Sequence, residues 1–191
     1  LGMRPVNNVV DVSNYVMLEL GQPSHTFDLE SVANSEFKVR WAIEGEEIVT
    51  LDGVTRKLTS EDGIVADGSN TPIGIAGVMG GNSTEISRET STVALEMAWW
   101  TPSAIAKTSR RLGLRSEASA RFERGTDPEI IETAMKRFCE LLEPEVSLHP
   151  GLVDEQGDIP TREKIKVRVP RVNSILGTDL DKKEILEILD P

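Results

Sequence analysis

The chain holds a single cysteine, Cys139, in 191 residues. No internal disulfide can form, which fits a reducing cytosol. Its only histidines, His25 and His149, lie far apart in sequence, so no protein zinc site can be read from spacing. Aromatic residues make up 4%, and the core has to be built from Val, Ile, Leu and Ala. No apolar run approaches the ~20 residues of a membrane span. No signal peptide is visible, because the first helical pattern carries Arg4, Asp11 and Glu19 with no cleavage pattern after it. A start at Leu1 and an end at Pro191, inside an apparent helix, are expected of a piece of a longer protein.

Positive charge is scarce as well. The net charge is −11, which taken alone argues against nucleic-acid binding. Its distribution qualifies this: Lys107, Arg110, Arg111, Arg115, Arg121 and Arg124 face only Glu117 and Glu123 within residues 107–124. A basic segment on an acidic body can receive phosphates. It can equally be a solvated helical face with internal ion pairs, and charge alone does not choose. Hydrophobic content of 38% and a mean hydropathy of −0.24 fit a soluble globular protein. The length allows one large domain, or one domain plus a fragment.

Periodicity predicts the elements. Arg4–Leu20 reads as a helix closed by Gly21, with Val6, Val9, Val10, Val16, Met17 and Leu20 on one face. GQPSHTFD, residues 21–28, reads as a turn carrying His25, with Asp28 capping a short helix. Residues 37–43 alternate as a half-buried strand. Residues 48–51 and 54–58 flank Asp52-Gly53, a signal for a hairpin with a type I′ turn. Strands are expected over 63–67, 72–78, 92–98, 146–153 and 164–169. Helices are expected over 101–112, 117–124 and 128–142, and two more after Pro170 broken at Gly177-Thr178. This order suits an α+β fold, a mixed, barrel-like β-sheet core with flanking helices, better than a doubly wound sheet.

Several residues invite chemistry. Glu96 interrupts the apolar run TVALEMA, where a carboxylate needs a partner or a solvated pocket, or its pKa rises. GIAGVMGGNST, residues 74–84, lacks the lysine and spacing of a phosphate loop, but its glycines let backbone approach a ligand or a strand closely. Ser13 falls on the apolar face of the first helix, either as a satisfied core hydroxyl or pointing into a pocket. His25 is a lone loop histidine, a class more often structural than catalytic. Cys139 lies on an amphipathic helix, where a buried structural thiol is the ordinary reading. Ser116 can cap the short helix after Gly113.

Four stretches, RPVNNVVDVSNYVMLELGQPSHTFD, GIAGVMGG, VALEMAWW and RRLGLRSEASARFERGTDP, resemble in order and spacing the editing domain of the bacterial phenylalanyl-tRNA synthetase β subunit. PRVNSILGTDLDKKEILEIL resembles the start of the next, small helical module. The resemblance implies an editing domain over 1–155, a linker over 156–163 and a truncated module over 164–191. It implies an aminoacyl-tRNA synthetase whose fragment here hydrolyses tyrosyl-tRNA(Phe) made in error and does not charge tRNA. The partners it implies are tRNA(Phe) and a catalytic α subunit in an (αβ)2 heterotetramer, with no membrane and no DNA. ATP and Mg2+ serve the whole enzyme, and no cofactor or metal is expected in this fragment.

Carried over position by position, the family's editing residues fall on Ser13, Asn14, His25, Gly80, Glu96, Ser116 and Ala118. The residue matching Glu96 recognises the tyrosine hydroxyl, and those matching His25 and Ser116 lie near the ester. The resemblance thus makes His25 and Ser116 the catalytic candidates, and Ser13, Asn14, Gly80, Glu96 and Ala118 the substrate-binding ones. Serine at 13 and 116 replaces the threonine more usual in the family, and SHTF replaces the commoner LHAF, changes that bear on selectivity. Two other readings stand beside an editing hydrolase: a tRNA-binding or structural module with a weakened pocket, and a binding domain for a free aromatic amino acid.

Overall fold

The computed structural model describes residues 3–142, 146–159, 161 and 163–189. They divide into two units, Leu1–Gly151 and Leu152–Pro191. In the first, Asn7 sets the start of helix α1, Asn8–Leu20, because its side chain accepts a hydrogen bond from the Val10 amide at 2.9 Å. The helix therefore begins after the predicted Arg4. Gly21 ends it in the left-handed region, at φ 76, with its N–H on the Met17 carbonyl.

The chain then forms strand β1, Ser24–Asp28, where the sequence reads as a turn. The correction has a distant cause: β1 pairs antiparallel with the strand Val93–Met97, with Ser24 opposite Met97 and Asp28 opposite Val93. Asp28 caps a 3₁₀ turn over Leu29–Ser31. Strand β2, Phe37–Trp41, follows, then β3, Glu47–Val49, and β4, Thr55–Lys57. Strands β5, Gly63–Asp67, β6, Pro72–Ile75, and β7, Met79–Gly80, precede Val93–Met97, which is β8.

Among the described residues the strands form three open sheets, β1-β8, β2-β5-β6-β7 and β3-β4, and all their pairings are antiparallel. The mixed, barrel-like sheet is thereby corrected. Closure requires every edge to find a partner, and β2 is left as an edge. That position also reverses its predicted half-burial: Val39 and Trp41 alternate as expected but are 66% and 58% exposed. The β3–β4 connection is not a type I′ turn, since Gly53 has positive φ and Asp52 does not. Asp52 instead bonds the Thr50 hydroxyl at 2.7 Å and pairs with Arg56.

Helix α2, Pro102–Leu112, stops at Gly113 in the left-handed region, and the short helix α3, Glu117–Phe122, follows. Helix α4, Ile131–Leu142, comes after a 3₁₀ turn over Pro128–Ile130. Ala134, Phe138 and Leu142 of α4 pack on Val16 of α1, with Leu95 and Met97 of β8 against them. Phe27, Val32, Val65 and Ile73 form a second cluster, joined by Ala94. Ile64, Ala66, Ile75, Val78, Ile105 and Phe122 belong to a third. The expected strand over 146–153 is irregular, and that over 164–169 is irregular to 168 and enters a helix at Val169; alternation without a partner ladder makes no sheet. In the second unit α5, Val169–Leu176, and α6, Lys182–Leu189, are joined through Gly177, at φ 68. Positions 160 and 162 of the linker segment and 190 and 191 of the last predicted helix lie outside the described residues.

One buried charge ties α2 to the sheet. Asp62 is 1% exposed and accepts from the Thr108 hydroxyl at 2.8 Å and from the Thr59 amide at 2.8 Å, while Arg111 pairs with it. Removing the carboxylate leaves the Thr108 hydroxyl and the Thr59 amide without their acceptor, while the exposed Arg111 keeps solvent and the Lys57 carbonyl. Asp62→Ala is therefore expected to cost about 2–4 kcal/mol in urea unfolding, whereas Lys107→Ala, in an exposed pair with Glu61, is expected to cost under ~1 kcal/mol.

Candidate functional site

Strand pairing builds the site. His25 stands opposite Glu96 across the β1–β8 ribbon, and directly opposed residues project from the same face. His25 and Phe27 share that face by the two-residue period of a strand, while Ser24 and Thr26 turn to the other. The packing agrees: Phe27 and Ala94 join the sheet cluster, and Leu95 and Met97 join the α1–α4 cluster. The pocket on the His25 side has a volume of about 90 Å³. Its walls are Pro23, Ser24, His25 and Phe27, then Val65, the β6–β7 hairpin from Gly74 to Gly80, Glu96, Ala118 and Phe122.

Gly80 meets the imidazole directly. A Cβ at Gly80 would fall 2.4 Å from His25 Cε1 and 2.5 Å from Nε2, so only glycine fits beneath this ring. Phe27 packs edge-on to the same ring, centroids 4.5 Å apart. The neighbouring Gly81 N–H is used by the Ile73 carbonyl at 2.8 Å and is not offered to a ligand.

Four of the sequence-derived residues, His25, Gly80, Glu96 and Ala118, thus share one wall or another of the pocket. Ser116, Ser13 and Asn14 do not line it. Ser116 caps α3: its hydroxyl accepts from the Ser119 amide at 3.0 Å and donates to the Val78 carbonyl at 2.7 Å. It fastens α3 to the glycine loop, and so holds Ala118 at the pocket. Ser13 bonds Ser24, with the two hydroxyl oxygens 2.8 Å apart, and Asn14 follows it on α1. Phe27 and Phe122 escaped the sequence reading. Phe122 follows Ala118 by one helical turn, a period that marks it once Ala118 is placed; Phe27 required β1 to be known as a strand. Arg121 pairs with Glu117 at 2.8 Å within α3. An open groove of about 510 Å³ there holds Arg121 and Arg124 beside Glu117 and Asp127, so its charges balance. Cys139 packs against the α1–α4 cluster, and burial raises its thiol pKa, as for an inert packing group.

The B3/4 domain family model matches residues 1–145. The chain belongs to the B3/4 domain family. Over 99% of its length it is 46% identical to the phenylalanine–tRNA ligase beta subunit of Carboxydothermus hydrogenoformans, covering 24% of that protein. The beta subunits of Nitratidesulfovibrio vulgaris and Oceanobacillus iheyensis are 45% and 41% identical over 100% and 99% of the chain. The chain thus spans about a quarter of the length of these curated relatives, at 24% each. Among the described residues of this B3/4 domain and the segment after it, no helix is long and apolar enough to cross a membrane, and no His, Cys, Asp and Glu cluster could hold a metal ion.

Burial acts on both titratable groups of the B3/4 pocket, in opposite directions. It lowers the His25 pKa to about 4 and raises that of Glu96 to about 7, because each group loses water around its charged form. His25 Nε2 is covered and has no hydrogen-bond partner among the described residues. At neutral pH the imidazole is uncharged and the carboxyl is near half-protonation. The linkage follows from the signs. The raised Glu96 pKa favours the fold fully below pH 4.5, and this contribution is lost as pH rises through about 7. The depressed His25 pKa favours the fold fully above pH 6.5, and is lost as pH falls towards 4. Between those limits the two oppose each other. Glu96→Gln is expected to be more stable than the wild type at pH 8, by at most about 3 kcal/mol. The difference should close at pH 4.5, as read from denaturant midpoints across this range.

Proposed function

We propose that this B3/4 domain hydrolyses the ester of tyrosyl-tRNA(Phe), acting within a phenylalanine–tRNA ligase beta subunit. The observation that carries the reading is the register that puts Glu96 opposite His25 on a pocket limited by Gly80 and Ala118. Tyrosine differs from phenylalanine by a hydroxyl. A site built to bond that hydroxyl can reject the analogue lacking it by about 10⁴–10⁵-fold, since its own polar group is left unpaired. Glu96 has no partner among the described side chains, and its carboxyl, near half-protonation at pH 7, can accept or donate that bond. With phenylalanine bound it stays desolvated and unmatched.

The reaction is addition of water to the ester carbonyl and departure of the ribose hydroxyl, releasing tyrosine and tRNA. His25 is neutral and sterically held. A group with a pKa of about 4 is a weak proton acceptor at pH 7, so the reading gives it the orientation of the water and ester, where correct placement supplies much of the rate. Gly80 brings backbone against that ring, Ala118 keeps space for the substrate, and Ser116 holds the wall that carries Ala118. Ser13 and Asn14 support the pocket from α1. ATP and Mg2+ belong to tRNA charging, which the reading assigns to the α subunit of an (αβ)2 enzyme, and no step here uses them. In the same proposal residues 1–155 are the editing portion, 156–163 a linker and 164–191 the start of a further module.

One observation favours a second reading, a tRNA-binding module with a weakened site. A cavity of about 150 Å³ holds a benzene ring, and this pocket measures about 90 Å³. An aromatic side chain enters only if a wall moves, and Met79, flexible and half-buried on the wall, is the group best able to yield. Deacylation of tyrosyl-tRNA by the full-length beta subunit assembled with its α partner separates the two. Glu96→Ala is expected to slow clearance by about 10–100-fold, the worth of a hydrogen bond to a charged group. Ala118→Trp is expected to abolish clearance and leave charging with phenylalanine intact. Clearance unchanged in Glu96→Ala removes the recognition role, and a wild-type enzyme that does not clear tyrosyl-tRNA supports the second reading.

A further inference from the structure

We infer that Ser13 and Ser24 are a positioning pair, their hydroxyls bonded to each other and acting on the pocket through His25. Their hydroxyl oxygens are 2.8 Å apart, and Ser13 also reaches the Ser24 carbonyl at 3.4 Å. This bond crosses from α1 to the first residue of β1. Ser24 projects towards α1, with Thr26, on the face opposite that of His25 and Phe27. Ser13 lies outside the pocket lining, and Ser24 borders the pocket next to His25.

The end of β1 needs such a fastening. Gly21 in the left-handed region and Pro23 lead into it, so its approach has little regular hydrogen bonding of its own. From the ribbon side, Gln22 Nε2 ties the approach to the Ala98 carbonyl at 2.9 Å. From the helix side, the tie is the hydroxyl pair. The next residue, His25, packs so closely on Gly80 that no Cβ could be accommodated, and its Nε2 is covered. A ring held this tightly is displaced by small movements of its own backbone, and misplacement near a reacting centre is costly to rate. α1 is in turn held to α4 by the pair Glu19–Arg137, at 2.9 Å, so the latch refers His25 to the α1–α4 layer.

The inference rests on the ester-hydrolysis reading for its rate consequences, but its geometry has a separate readout. In the full-length beta subunit assembled with its α partner, Ser13→Ala, Ser24→Ala and the double variant are compared with the wild type. Tyrosyl-tRNA deacylation and modification of His25 by diethyl pyrocarbonate, followed by peptide mass, are both measured, with thermal melts confirming folding. Each single variant is expected to lower kcat about tenfold with KM unchanged. The double variant should be no worse than Ser13→Ala, which already loses both contacts. His25 should be modified several-fold faster than in the wild type, and Ser13→Thr, which keeps the hydroxyl, should restore both properties. A raised KM with unchanged modification means that the hydroxyls touch substrate and overturns the inference. Unchanged rates and unchanged modification overturn it too. If the wild type clears no tyrosyl-tRNA, the functional reading fails by itself, and the modification rates still decide the pair.

Discussion

The β1–β8 ladder is the constraint on which the first unit depends. It joins a strand that follows the first helix to one that lies beyond the two other sheets in the chain. Its two faces are given different work. Leu95 and Met97 face α1 and α4 and complete an apolar layer with Val16, Ala134 and Phe138. Phe27 faces the other way, into the sheet cluster with Val65 and Ile73. Both ends of the ladder are secured by side chains: Gln22 bonds the Ala98 carbonyl, and the Thr90 hydroxyl donates to Asp28 at 3.0 Å. A slip of one residue in this pairing would turn His25 and Glu96 away from each other and bring polar groups into a packed layer.

That ladder also explains the electrostatic character of the pocket. Two ionisable groups are set opposite each other in a place where each loses much of its water, and no charged side chain among the described residues pairs with either. The ordinary result of such burial is neutralisation, and it takes opposite forms here, loss of the proton from His25 and retention of one by Glu96 near neutrality. The fold accommodates the neutral imidazole closely, on Gly80 and Phe27. The balanced charges on Arg121, Arg124, Glu117 and Asp127 contrast with the pocket, lining an open groove on and just beyond the helix that the pocket uses for its small residue, Ala118.

Local chemistry was readable wherever it is decided by neighbours in the chain. Gly21, Gly113 and Gly177 end helices in the left-handed region as their positions after apolar periods require. Ser116 caps α3, and Glu96 is the unpaired carboxyl that its apolar surroundings announced. The reading failed where the partner lies elsewhere. GQPSHTFD carries turn residues and still forms a strand, because β8 supplies a ladder. Residues 146–153 and 164–169 alternate properly and form none. Asp52-Gly53 satisfies the two-residue hairpin pattern, yet the Asp52 carboxylate has a better use on Thr50 and Arg56, and the loop widens to give it one.

The same division runs through the site. Residue type alone singled out Glu96, an acid inside an apolar run, whereas His25, Gly80 and Ala118 were marked by the resemblance of the motifs that carry them. Their convergence was not written locally: it comes from strand register, which brings His25 to Glu96, and from a close approach that only the absence of a Cβ at Gly80 permits. Ser13 and Ser116 carry hydroxyls suited equally to a substrate or to the protein, and no pattern of neighbours distinguishes these uses. Packing did so, giving Ser13 to Ser24 and Ser116 to Val78, because a hydrogen bond is settled by which partner lies within reach once the layers have closed.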